Sequence, residues 1–267
     1  MGRQRRIDIW RIVDRTRAGM LKSSTRRARK GLKEQMQPIL DFLPDRADEL
    51  TSTIVDSLIE QGPIKEMMAD IYYTVGLPFA KAVYGSLKKA EFTDDTFSRA
   101  VINEVETAGM MGPGGKTLVK DMTDTTIKQI NNIISAAFEE GISIQAAAAT
   151  IESGIRHMSN VRATMIARTE TIRASNFGAL KGAEFTGLKL QKEWISTFDD
   201  RTRTFADSAF DHKSMDSQRA AQNEPFGLTS DQATFLGDDL LDYPAAANGQ
   251  PGNTINCRCT LAFIPVE

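Results

Sequence analysis

The spacing of apolar residues changes period at Gly187, and that change limits the fold more than any other feature of the chain. Upstream, apolar residues recur every three or four positions, as one face of a helix requires. Ile64, Met67, Met68, Ile71, Tyr72 and Val75 form one such stripe behind Pro63, and Ile127, Ile130, Ile133, Ile134 and Phe138 form another. Downstream, Leu188, Leu190, Trp194 and Phe198 fall at even spacing, which suits a strand over Leu188–Phe198. The run Thr254–Val266 predicts a terminal strand. The chain is therefore expected to be mainly α, a helical N-terminal part followed by a small α+β C-terminal domain. The expected division is a basic arm over 1–33, a helical domain over 34–152 and the α+β domain over 153–267.

Glycine, proline and capping residues set the remaining expectations. A helix is expected over 38–60, another from Pro63 with a break or kink near Pro78, and a third over Ala80–Phe92. Asp94 or Asp95 starts a helix through Met110, and Thr117–Glu140 forms a long one ended by Gly141. Ser143 caps an Ala-rich helix to Ile151, which Ser153 and Gly154 stop. Val161–Gly182 follows, with Val161, Met165, Ile172 and Leu180 inward. A turn at Asp199–Asp200–Arg201 leads into a helix over Ala206–Gln218. The Gly- and Asp-rich segment Asn223–Gly252 reads as a loop with a short strand near Thr234–Leu236. Gly112–Pro113–Gly114–Gly115–Lys116–Thr117 resembles a phosphate-binding loop only superficially. The pattern needs Gly where Met110 stands, and a preceding strand. The Met and aromatic stripes are read as packing surfaces, and His157 as a surface residue.

The net charge of -2 conceals a separation of sign. In residues 1–33 twelve Lys and Arg stand against Asp8 and Asp14, so this stretch is near +10 and the remainder near -12. Ile9, Ile12, Val13, Met20 and Leu21 fall on one side of a helix drawn through it. Arg3, Arg5, Arg6, Arg11, Arg26, Arg27, Arg29 and Lys30 are the candidate contacts to an anionic partner, with a solvated terminus as the alternative. DNA phosphates, an acidic protein face and an anionic membrane surface all fit that charge. Few apolar residues lie in the arm, so its removal is expected to leave the rest folded. No run of about 18 apolar residues exists to span a membrane. The residues around Trp10 are too charged for a secretory leader. Two Cys make no disulfide framework, and an intracellular route of assembly is expected.

The chemistry-bearing residues gather after Trp194. Cys257 and Cys259 lie two apart, on one side of a strand. They are expected to be buried thiols with His212 hydrogen-bonded to the turn, and no cofactor. A zinc ion shared by Cys257, Cys259 and His212, with Asp200 or Asp216, is the alternative. Arg201 and Arg203 are suited to clamp an Asp or a C-terminal loop carbonyl. Arg168, Glu170 and Arg173 are expected to brace the module against its feeding helix. With only two His, no catalytic triad stands out.

Four of these pieces occur in an order that resembles a known family. They are Ile166–Ala167–Arg168–Thr169–Glu170; Trp194 with Asp199–Asp200–Arg201–Thr202–Arg203; His212, Met215, Asp216, Ser217 and Gln218; and Asn256–Cys257–Arg258–Cys259. Together they resemble the phage minor head or head morphogenesis proteins typified by protein F of phage Mu, over roughly Ser153–Glu267. Ser217 stands where that pattern usually has Gly. The resemblance implies a non-enzymatic minor capsid protein, associated with the portal or the inner capsid and acting in head assembly, with a part in DNA packaging or ejection. The implied partners are the portal and/or major capsid protein and packaged DNA. The implied location is the virion, reached from the host cytoplasm. A DNA-binding protein using the basic arm, and a phage-encoded transferase or toxin-type enzyme, are the alternatives.

Overall fold

The computed structural model describes residues 1–88, 93–104, 117–139 and 143–266. Helix α1 runs unbroken from Arg3 to Arg46. Ser24, Ala28, Leu32, Gln35, Met36, Ile39 and Leu43 are its buried stripe, recurring at three- and four-residue steps. Pro38 and Pro44 lie inside it, each removing one N–H donor. Burial on both sides of Pro38 outweighs that loss, so the helix expected to begin there is a continuation. The boundary expected at residue 33 accordingly falls in mid-helix. The arm is no appendage, since Arg17, Ser24, Ala28, Gly31 and Leu32 are buried. Deleting residues 1–33 would strip these from the core, contrary to the expectation that the rest folds without them. Ile12, expected on the inner side, is 66% exposed.

After α1 comes a 3-10 turn at Ala47–Glu49, then α2 (Ser52–Leu58), whose N-terminal Ile54 amide is capped by Thr51 at 3.4 Å. Helix α3 (Gly62–Ile71) opens on Pro63 as expected. The chain does not break at Pro78. Tyr72–Gly76 forms a wider π turn, which sets Pro78 in the first turn of α4 (Leu77–Lys88) and absorbs the missing donor. Helices α5 (Asp94–Ile102) and α6 (Leu118–Glu139) follow. Phe92, the expected continuation of α5 to Met110, the Gly112–Lys116 segment and Gly141 lie outside the described residues.

Helix α7 spans Ile144–Glu184, with Ser143 accepting from the Ala146 amide at 3.2 Å. The stop expected at Ser153–Gly154, and the domain boundary beside it, both fall inside this helix. Gly154 is a packing residue here: a Cβ on it would meet Ile133 Cγ2 of α6 at 2.8 Å. The expected inward stripe is half right. Ile172 and Leu180 are buried, but Val161 and Met165 are 60% and 43% exposed, and Ala163, Ile166 and Ala167 point in instead. Every residue from Thr169 to Leu180 is buried, which makes this stretch of α7 the axis of the molecule. Its backbone nearly touches the π turn and α4. A Cβ on Gly178 would lie 2.1 Å from the Gly76 carbonyl oxygen, and one on Gly182 would lie 2.3 Å from that of Ala80.

The C-terminal part contains β1 (Leu190–Ile195), β2 (Arg219–Ala221), α8 (Ser230–Leu236), α9 (Pro251–Thr254) and β3 (Thr260–Pro265). The sheet is antiparallel in the order β2-β1-β3, with Trp194 opposite Leu261 and Glu193 opposite Arg219. Three local expectations are corrected. Residues 206–218 form turns rather than a helix, because Asp207 accepts from the Thr204 amide (3.0 Å) and Asp211 from the Ser214 amide (2.9 Å). The strand expected near Thr234 is helix α8, capped by Thr229 and closed by Gly237 at φ +58°. The terminal strand begins at Thr260, since α9 takes up Thr254. The fold class stands: mainly helical, with a small three-stranded sheet near the C-terminus. Among the described residues no helix is long and apolar enough to cross a membrane.

Candidate functional site

Two loops and the central strand bring the C-terminal chemistry together. The turns after Arg203 carry His212, and the stretch between α9 and β3 carries Cys257 and Cys259. Asn256, at φ +58°, turns the chain between α9 and the first thiol. All three side chains are buried, and their ligand atoms lie within 4.8 Å of one another. His212 Nδ1 is 3.5 Å from Cys257 Sγ and 3.7 Å from Cys259 Sγ. Its other nitrogen, Nε2, faces Asn253 Oδ1. The Asn253 amide is fixed from its far side, where Nδ2 donates to the Leu236 carbonyl (3.1 Å) and the Asp239 carboxylate (3.0 Å). Asn253 Oδ1 must therefore accept, so Nε2 carries the proton and the Nδ1 lone pair points at the sulfurs. A hydrogen bond from the Cys259 thiol outweighs burial and holds Cys257 well below the usual thiol range. Burial pushes Cys259 well above it, and Cys257 adds to that. The Trp194 indole N–H, which finds no acceptor of normal geometry, acts on Cys259 in the opposite sense, as does the Thr197 amide.

Trp194 roofs this cluster, with its ring edge-on to His212 at 5.4 Å and to Phe226 at 5.3 Å. The D-D-R-T-R turn supplies a network in which Asp199 is the working carboxylate. Arg201 donates to it at 3.2 Å, and Arg258 donates as well. Burial raises the Asp199 carboxyl, but those two arginines outweigh it and hold the group below its ordinary value. Asp200 is exposed and outside this network. Arg203 donates to the Ile255 carbonyl. Asp216 accepts from the Ser196 amide (3.1 Å) and pairs with Arg6 of α1 (3.0 Å). Glu170 is buried in an ion pair with Arg173 (2.5 Å), which also donates to the Ala245 carbonyl (2.7 Å). Arg168 is exposed, at the edge of an open cleft of ≈ 520 Å³ that Arg201, Arg203, Arg258, Asp14 and Asn256 also line.

The residue that binds α1 to this module was hidden in the sequence. Arg17 is buried and donates to Ser175 Oγ and Asn176 Oδ1 of α7, each at 2.7 Å. It also donates to the carbonyls of Arg258 (3.1 Å) and Cys259 (3.3 Å). Burial lowers its guanidinium to about 10. Asn176 in turn donates to the carbonyls of Pro244 (2.7 Å) and Cys259 (3.1 Å). An Asn in mid-helix is a poor helix former and was the one available signal; Asn253, between Gly and Thr, carried none. Of the arm's candidate contacts, Arg3, Arg5, Arg11, Arg26, Arg29 and Lys30 are exposed. Arg6 is committed to Asp216, and Arg27 is half-buried on Ser23.

Ser217 has φ +70°, the left-handed region that glycine occupies without strain. Ser217→Gly is therefore expected to raise the unfolding free energy by about 0.5–1 kcal/mol, the relief of the Cβ clash less the added chain entropy. Chemical denaturation of the two proteins reads this directly, and a destabilised variant would contradict it.

A family model described as Phage Mu protein F like protein matches residues 128–262, just over half of the chain. The match begins within α6, takes in all of α7 and the His212, Cys257 and Cys259 cluster but none of α1, and ends in β3. Searches of curated proteins and of solved structures gave no match.

Proposed function

The chain belongs to the family of phage Mu protein F-like proteins, and from that membership we propose that it is a minor head protein docking on the portal or the inner capsid during head assembly. The single observation that supports this reading is the family match over α7 and the sheet module. The proposed role is structural, not enzymatic. It is carried out in the host cytoplasm during assembly and in the virion thereafter, with a part in DNA packaging or ejection. Co-sedimentation of the purified protein with portal rings or procapsids tests the docking. Mass-resolved composition of full and emptied heads tests the link to DNA: a protein that leaves with the genome should be lost on emptying. A protein that sediments with neither particle would sink the proposal.

One feature favours DNA as a further partner. Arg3, Arg5, Arg11, Arg26 and Arg29 stand exposed along α1, and among the described residues none of the five is in an ion pair. Replacing these five by Gln should leave the fold intact, since none is buried. If they neutralise phosphates, the slope of log affinity against log salt should fall by about 4–5, close to one unit for each arginine replaced. An unchanged slope measured by fluorescence titration would remove this face of α1 from DNA binding.

A further inference from the structure

We propose that Cys257, Cys259 and His212 hold one zinc ion that locks the C-terminal module together. Three independent features of the geometry point there. The first is distance. Zn–S bonds of about 2.3 Å and Zn–N bonds of about 2.0–2.1 Å at tetrahedral angles put sulfur and nitrogen ligands about 3.6 Å apart. His212 Nδ1 stands 3.5 and 3.7 Å from the two sulfurs. The second is direction. Asn253 fixes the tautomer of His212, so the free lone pair is on Nδ1, aimed into the space between the thiols. A histidine ligand held through its other nitrogen is the usual outer-shell arrangement of a zinc site. The third is chemistry. Two soft sulfur donors and an imidazole, all buried, suit zinc and exclude a hard oxygen-seeking cation.

Binding would release the thiol protons to solvent, leaving two thiolates and a neutral imidazole on the metal. Among the described residues three ligand atoms meet there, where zinc takes four in a tetrahedron. The expected role is structural, since the site lies beneath Trp194 and its ligands come from two separate loops. The ion would join the turns carrying His212 to the segment entering β3. In this reading zinc replaces the metal-free thiol pair expected from sequence, where nothing showed that residues 204–211 would fold back as turns and deliver His212 to the cysteines.

The test is elemental analysis of the full chain, purified without chelator or added metal, together with cobalt substitution. About one zinc per chain is expected. The cobalt form should show thiolate-to-metal charge transfer and the visible bands of a tetrahedral site. Cys257→Ser and Cys259→Ser should each lower the zinc content about tenfold or more. Should those variants fail to fold, chelation of the unaltered protein provides the second measurement: it should lower the melting temperature, and added zinc should restore it. Less than about a tenth of an equivalent of zinc with no cobalt spectrum would overturn the site. Full zinc content in a Cys257→Ser/Cys259→Ser double variant would overturn it equally.

Discussion

Trp194→Ala is expected to lower the unfolding free energy by about 3–5 kcal/mol, the range found when a large buried aromatic is truncated. Trp194 is fully buried on the central strand of a sheet with few strands. Its ring touches His212 and Phe226, so its loss opens a cavity between two loops. Neighbouring side chains cannot readily fill that space, because His212 is fixed through Asn253 and the thiols. Urea denaturation of wild type and variant gives the number. A change below about 1 kcal/mol would show that the ring is not an anchor of this module.

Arg17→Met is expected to cost about 2–4 kcal/mol. Two opposing effects set this value. The substitution relieves the desolvation that lowers the guanidinium to about 10. It also takes a charged donor from Ser175, Asn176 and the carbonyls of Arg258 and Cys259, although Asn176 keeps its bond from Thr260 and the Cys259 carbonyl keeps its bond from Asn176. Hydrogen bonds to charged groups contribute about 1.5–3 kcal/mol each and are not additive, so the loss exceeds the relief. Arg17→Lys should rescue little, since one ammonium cannot reproduce the planar fork that reaches two elements at once. Hydrogen exchange supplies a further readout. In Arg17→Met the first half of α1 should lose protection before α7 does. Stability equal to wild type, with α1 still protected, would show that the apolar stripe alone holds the helix.

The sequence carried the parts of the fold that depend on local pattern. Pro63, the stripe from Ile127 to Phe138 and the alternation around Trp194 led to elements found nearly where expected, and Ser143 marked a true helix start. It misled where tertiary contact overrode a local signal. Pro38 read as the start of a helix and Gly154 as a stop, yet both lie inside long helices, one supported by buried residues on both sides and the other needed for a close helix crossing. Thr234 and Phe235 read as β-formers, but Thr229 and Gly237 cap them into a helix. The site was legible as a set of residues and not as an arrangement. Arg17 looked like one more charge in a basic run, and only the packing of α1 on α7 and β3 sets it apart. Asp199 and Asp200 were indistinguishable by type; a single residue's turn decides which meets Arg258.

The Arg17 lock also bears on the order in which the chain is made. Arg17 and the Cys259 carbonyl it grips are 242 residues apart. During synthesis α1 emerges early, while its partners on α7 and beside β3 come late. At about 5–20 residues per second the Arg17 guanidinium would wait on the order of 10–50 seconds for that carbonyl, while the Gly31 end of the helix meets Met67 of α3 far sooner. Closing so long a loop also slows the final step, since chain entropy must be lost before any native pairing rewards it. For that interval the first half of α1 lacks its full set of polar partners, and the Arg17 lock closes only when β3 has left the ribosome.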